Sequence, residues 1–242
     1  MKKLLLCTLL LALLLFSCTN IFLEIIDTEE PVNGSHSTED SPSTPVENPE
    51  SYPGVPTAYK SILDALFLLE EQLTREEFGS GDELEIVGFM EYPYPRGENL
   101  GYTVVDINGD GVPELLLGTV YGLQSAQLNS IFTIIDGKPV LLKSFWSRSR
   151  GVISADGVIF STGSGGAAYT YLSSYKLDKN ADTLTELTDI RSDYSFSDEK
   201  PYYVQVVDGE DQYISEDEFW NLLEMYDNPP DPMKLTVIPI SN

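Results

Sequence analysis

Ile62, Ala65, Leu66, Leu69 and Leu73 recur at intervals of three and four, which places them on one face of a helix. Pro56 suits the entry to that helix, and Gly79 offers a stop. Beyond Gly79 the period changes. Short apolar runs are divided by Asn108-Gly109, Asp110-Gly111, Asp136-Gly137, Asp156-Gly157 and Asp208-Gly209, dipeptides that favour tight turns. The runs at 101–105, 115–120, 130–135, 140–145, 151–153, 158–161, 169–177 and 202–207 read as antiparallel strands, with a meander as the simplest wiring. Helical spacing returns at Phe219, Leu222, Leu223 and Tyr226. It follows Ser215-Glu216-Asp217-Glu218, a capping box in which Ser215 takes a free amide of the first turn. The expected fold is α+β: a twisted antiparallel β-sheet flanked by an N-terminal and a C-terminal helix over residues 55–242.

The first 54 residues follow neither period. Lys2 and Lys3 precede an apolar run from Leu4 to Phe16, which has the length of a signal-peptide core and is too short for a stable transmembrane helix. The run ends in Leu15-Phe16-Ser17-Cys18, which resembles the lipobox of bacterial lipoproteins. That resemblance implies cleavage before Cys18, lipidation of its thiol, and anchoring on the outer face of a cell membrane. From Thr19 to Gly54 there are eight acidic residues and no Lys or Arg, with prolines spread among Ser, Thr, Asn and Gly. Such composition reads as a disordered tether, about 35 Å end to end. Within it, Ile21 to Ile26 could rest on the lipid interface or dock as an edge strand.

Charge and cysteine usage narrow the chemistry. Loss of Lys2 and Lys3 with the signal takes the basic residues from 14 to 12 and the net charge from −25 to −27. A nucleic-acid partner is excluded on that balance, because a phosphate backbone needs a basic footprint. The two cysteines, Cys7 and Cys18, both belong to the export segment, so the mature domain has no disulfide or thiol nucleophile. The single histidine, His36, sits in the tether, which leaves no base for a Ser-His-Asp triad and no imidazole ligand for zinc.

One segment carries metal chemistry. In Asp106-Ile107-Asn108-Gly109-Asp110-Gly111-Val112-Pro113-Glu114, oxygen-bearing side chains at 106, 108 and 110 can converge when the chain curls, and Gly111 permits the turn. The Val112 carbonyl and the Glu114 carboxylate would complete an oxygen-only shell suited to calcium. An EF-hand is disfavoured, since its bidentate glutamate would fall at Leu117 and strands flank the loop. The competing reading is a tight hairpin in which Asn-Gly and Asp-Gly serve only as turn formers. The stretch resembles the calcium loop of FG-GAP and VCBS repeats, with Glu114 where those repeats usually carry aspartate. With its flanks it is also similar to a group of largely uncharacterised bacterial surface lipoproteins. The resemblance implies a structural calcium ion and no defined activity, and a single copy argues against a propeller.

Other segments have plainer readings. Asp178-Lys179-Asn180-Ala181-Asp182 repeats the alternation without the glycine and reads as an ordinary hairpin. The stretch from Ser161 to Ala167 is glycine-rich but lacks the lysine of a phosphate loop, which leaves a flexible or bulged connection. Tyr92, Tyr94, Tyr169, Tyr171 and Tyr175 are candidates either for core packing or for aromatic faces offered to a glycan or protein. The functional expectation is a non-catalytic, membrane-anchored protein that binds an extracellular glycan or protein. The alternatives are a carboxylate-dependent, glycosidase-like hydrolase using a pair among Glu85, Glu91, Glu98, Asp136 and Asp156, and an accessory subunit of an envelope complex.

Overall fold

The computed structural model describes residues 52–75, 81–89, 99–145, 148–167, 169–179, 183–193 and 202–241, all within the unit Val46–Asn242. The export segment with Cys18, the tether up to residue 51, Tyr92, Tyr94, Glu91, Glu98 and Asn180 to Asp182 lie outside the described residues. Among the described residues no helix is long and apolar enough to cross a membrane.

A 3-10 turn at Thr57–Tyr59 leads into α1 (Lys60–Thr74), followed by α2 (Gly81–Ile86), β1 (Leu100–Val105), β2 (Glu114–Thr119), α3 (Val120–Gln124) and β3 (Gln127–Leu128). Then come β4 (Ser130–Ile135), β5 (Lys138–Ser144), β6 (Ser149–Ile153), β7 (Val158–Gly166), β8 (Tyr169–Leu177) and β9 (Leu184–Asp193). The chain continues through β10 (Tyr202–Val207), β11 (Glu210–Tyr213), α4 (Glu216–Asp227) and β12 (Ile238–Pro239).

The fold is α+β with antiparallel strands throughout, and the strands form two sheets. One sheet has five strands in the order β12-β1-β2-β4-β5, and the other has seven in the order β11-β10-β9-β8-β7-β6-β3. From β6 to β11 the second sheet is the expected meander. The division comes from the chain between β2 and β4, where α3 and the short β3 carry the backbone across to pair with β6.

Burial shows why both sheets form. All six residues of β2 are buried, so its run of leucines has an apolar neighbour on each side. Leu115 and Leu117 belong to the cluster under α1, with Tyr59, Leu63, Leu66, Leu69, Leu100 and Phe132. The intervening Leu116 joins Ile131, Phe145, Val152, Ile153, Ile159 and Leu177 in a cluster fed by both sheets. Alternate residues of a strand point to opposite faces, and burying each such leucine contributes about 1.5–3 kcal/mol. A third cluster, of Leu172, Ile190 and Tyr203 with Phe219 and Tyr226, seats α4 on the seven-stranded sheet.

The helix starts follow local chemistry. At α4 the Ser215 hydroxyl accepts the Glu218 amide at 3.2 Å, the first half of the capping box. The first helix ends at Thr74, before Gly79, with the Arg75 amide bonded to the Glu71 and Leu73 carbonyls. Two hairpin turns also follow sequence: Asp136-Gly137 and Asp208-Gly209 each have positive φ at both residues, as a type I′ turn requires.

Candidate metal centre

The segment 106–113 joins β1 to β2, whose register runs from Val105 opposite Glu114 to Leu100 opposite Thr119. It is not a tight hairpin. Positive φ falls on Gly109 and Gly111, at 74° and 92°, and not on Asn108 or Asp110, so no type I′ turn forms. The chain instead curls around its own aspartates. Asp106 Oδ1 accepts the amides of Gly109 at 2.7 Å and Asp110 at 3.2 Å, and its Oδ2 accepts that of Gly111 at 3.0 Å. Asn108 Oδ1 takes the Asp110 amide at 3.1 Å, and Asp110 Oδ1 takes the Val112 amide at 2.7 Å. Asn108 Nδ2 donates to Asp110 Oδ2 at 3.0 Å.

Glu114 occupies a different setting. It is fully buried, with Oε2 accepting the Ile107 amide at 2.9 Å and Oε1 accepting the Thr133 hydroxyl at 3.1 Å. Burial pushes its pKa up to about 6. The two hydrogen bonds oppose that shift, while the charges of Asp110 and Asp106 reinforce it. Beside it, the Tyr59 hydroxyl is shared between the carbonyls of Pro113 at 2.9 Å and Phe132 at 3.2 Å. Burial, helped by the Glu114 charge, raises the Tyr59 pKa and keeps the phenol protonated.

Two further contacts brace the loop from the other sheet. Gly157, at φ 79° in the β6–β7 turn, lies so close to Ile107 that a Cβ there would fall 2.5 Å from the Ile107 carbonyl oxygen. The Asp178 carbonyl accepts Asn108 Nδ2 at 3.1 Å, and Lys179 brings its ammonium within 3.6 Å of where a Cβ of Gly109 would stand. Asp178 and Lys179, the first two residues of the second aspartate-containing segment, are therefore neighbours of the first. No local pattern marks Thr133, Tyr59, Gly157 or Asp178 for this role, since Thr133 reaches the site through strand pairing, Tyr59 through packing of the 3-10 turn on the sheet, and Gly157 and Asp178 through the other sheet.

Chemically, the loop supplies oxygen donors from Asp106, Asn108, Asp110 and the Val112 carbonyl, with Glu114 set beneath them. Among the described residues no group of three or more His, Cys, Asp and Glu side chains is gathered as a metal ion would need. The donor set still fits a hard cation in kind, because Asp106 Oδ2, Asn108 Oδ1 and both Asp110 oxygens each accept one N–H and keep a further lone pair. The repulsion that Asp106 and Asp110 exert on Glu114 is what a divalent ion would relieve.

The other candidates are dispersed. Glu85 is exposed on α2, while Asp136 and Asp156 are exposed in two different hairpin turns. Asp156 is lowered in pKa, chiefly by the Ser154 hydroxyl that donates to it. The glycine-rich stretch forms the end of β7, with a register shift between Ser164 and Gly166. Tyr175 packs against the inter-sheet core under Lys143, whose ammonium lies 4.0 Å from its ring centre. No family model, curated protein or solved structure matches this chain.

Proposed function

We propose that this chain is a lipoprotein anchored through Cys18 on the outer face of a cell membrane, that it acts by binding and not by catalysis, and that its β1–β2 loop holds a structural calcium ion. The observation that carries the metal reading is the pairing of a self-curled Asp106-Asn108-Asp110 loop with the Glu114 carboxylate, whose charge is disfavoured chiefly by burial and further by the loop's aspartates. Asp106, Asn108, Asp110, the Val112 carbonyl and Glu114 would hold the ion. Bound calcium supplies only charge neutralisation and stiffening here. The anchor rests on Leu15-Phe16-Ser17-Cys18, and the binding role on the lack of thiol or histidine chemistry in residues 55–242.

The ion's effect is expected to be small. For a dissociation constant of about 0.1–1 mM and about 1 mM calcium, mass action gives roughly 0.4–1.4 kcal/mol, a rise in Tm of a few degrees. Calorimetric scans in calcium and in chelator should show that rise, and Asp110→Ala should erase it. Identical scans for the unaltered protein would end the calcium reading. The anchor is tested by intact mass: protein extracted from membranes should begin at Cys18 and carry a diacylglyceryl group, whereas an unmodified Cys18 would refute it.

A further inference from the structure

The face of β8 that turns Tyr175 and Leu177 toward the inter-sheet core continues, at the strand's other end, as Tyr169 and Tyr171. There it opens. The two rings are parallel to within 7°, with centroids 6.4 Å apart, and Tyr171 is 39% exposed. Strand register then lays out a row: Tyr171 lies opposite Arg191 on β9, Arg191 opposite Val204 on β10, and Val204 opposite Tyr213 on the edge strand β11. Val204 is buried at 5% exposure and floors the row, while Tyr213 is 72% exposed at its edge. The row lines an open groove of about 430 Å³. Its polar equipment is an ion pair, in which Arg191 Nη2 donates to both Asp211 oxygens at 3.0 and 2.9 Å, together with Asp193.

The glycine-rich end of β7 belongs to the same construction. A Cβ on Gly165 would come within 2.8 Å of the Tyr171 ring and hydroxyl, so the empty side of Gly165 is where that ring rests. Sequence alone offered this stretch as a flexible or bulged connection. The structure turns its bulge into the support of an exposed aromatic ring.

We propose that this face of β8–β11 binds a neutral oligosaccharide. A pyranose has an apolar C–H face and a rim of hydroxyls that both donate and accept hydrogen bonds. The tyrosine rings, negative on their faces, match the C–H face, and the Arg191–Asp211 pair offers donors and acceptors side by side to the rim. An anionic ligand is disfavoured, because two carboxylates outnumber the single guanidinium and the chain carries −25 overall. The volume lies toward the lower end of the range of about 300–1,000 Å³ for ligand sites, as a short glycan requires. Because β11 is an edge strand, a longer glycan can run past it. The site gives content to the binding role proposed above and is separate from the calcium loop.

The test is isothermal titration of the full chain, in calcium and in chelator, with maltotriose, cellotriose, triacetylchitotriose and, as the anionic control, trigalacturonate. At least one neutral trisaccharide should bind with a Kd below about 1 mM. Tyr171→Ala should weaken it about three- to tenfold, and Tyr171→Phe should retain it. Gly165→Ala, which displaces the ring while its strand stays paired, should weaken binding to a similar degree. Tyr213→Ala, on the exposed edge, repeats the test without touching the core. Asp110→Ala should leave sugar affinity unchanged, so failure of the metal reading and failure of this one are told apart. The proposal is overturned if no neutral trisaccharide binds at about 10 mM, if only trigalacturonate binds, or if affinity is indifferent to Tyr171→Ala and Gly165→Ala.

Discussion

Gly157→Ala is expected to destabilise the folded protein by about 2–5 kcal/mol, measured as a lowered urea midpoint at unchanged slope. Two costs combine. Positive φ for an L-residue costs roughly 1–2 kcal/mol, and residue 157 sits at φ 79°. The added Cβ would also meet the Ile107 carbonyl oxygen at 2.5 Å, a backbone atom that cannot swing aside as a side chain can. Relief of such overpacking costs about 1–3 kcal/mol and must move either the β6–β7 turn or the loop that begins at Asp106. Gly111→Ala separates the two costs, since Gly111 has φ 92° and nothing within 4 Å of its would-be Cβ. That variant should lose only the conformational part, about 1–2 kcal/mol. Equal losses for the two variants would mean that the contact between turn and loop contributes nothing. If the contact does position the loop, Gly157→Ala should also reduce the calcium-dependent rise in Tm.

The second large effect concerns Glu114 and has a defined pH dependence. Its folded pKa of about 6 lies above the ordinary 4.5, so the folded state binds the proton more tightly than the unfolded state. Without calcium, stability should therefore be highest below pH 4.5 as far as this group is concerned. It should fall as pH rises from 4.5 to 6 and level off above that. The loss across that window is about 2 kcal/mol. Glu114→Gln removes the charge while keeping an oxygen for the Ile107 amide, and the Thr133 hydroxyl can rotate to accept from the new amide. In chelator, the variant should be about 2 kcal/mol more stable than the parent at pH 7 and no more stable below pH 4.5. In calcium the difference should shrink, because the ion favours the ionised carboxylate that glutamine cannot supply. A variant less stable than the parent at pH 7 in chelator would show that burial of the charge is not the dominant influence on this residue.

Much of the local structure was readable from residue types. The first helix follows from the spacing of Ile62, Ala65, Leu66 and Leu69, all of which are buried. The last follows from Ser215, whose hydroxyl caps it, and from Phe219 and Tyr226, which it buries. Strands β4, β8 and β10 occupy 130–135, 169–177 and 202–207, as their β-branched and aromatic runs indicate. Strand β9 was missed for a physical reason. Leu-Thr-Glu-Leu-Thr-Asp-Ile-Arg-Ser-Asp places only Ile190 and Ser192 in buried positions, and one of those is polar. Strand β11 is exposed at all four residues and is held by its ladder to β10, which periodicity does not register.

By itself, then, the sequence determined the α+β class, the two longer helices, the type I′ turns at Asp136-Gly137 and Asp208-Gly209, and the acidic oxygen donors of the β1–β2 loop. These depend on neighbours within a few residues, where backbone preference and side-chain period act directly. Tertiary structure alone decided that the strands divide between two sheets, that Glu114 is buried on Thr133, and that Gly157 and Asp178 brace the loop. It also decided which tyrosines of β8 enter the core and which face outward. Tyr169, Tyr171 and Tyr175 share one side of one strand by simple alternation, and only the extent of the facing sheet assigns Tyr175 to the core and leaves Tyr171 exposed. Those outcomes depend on contacts between segments distant in the chain, which no local pattern encodes.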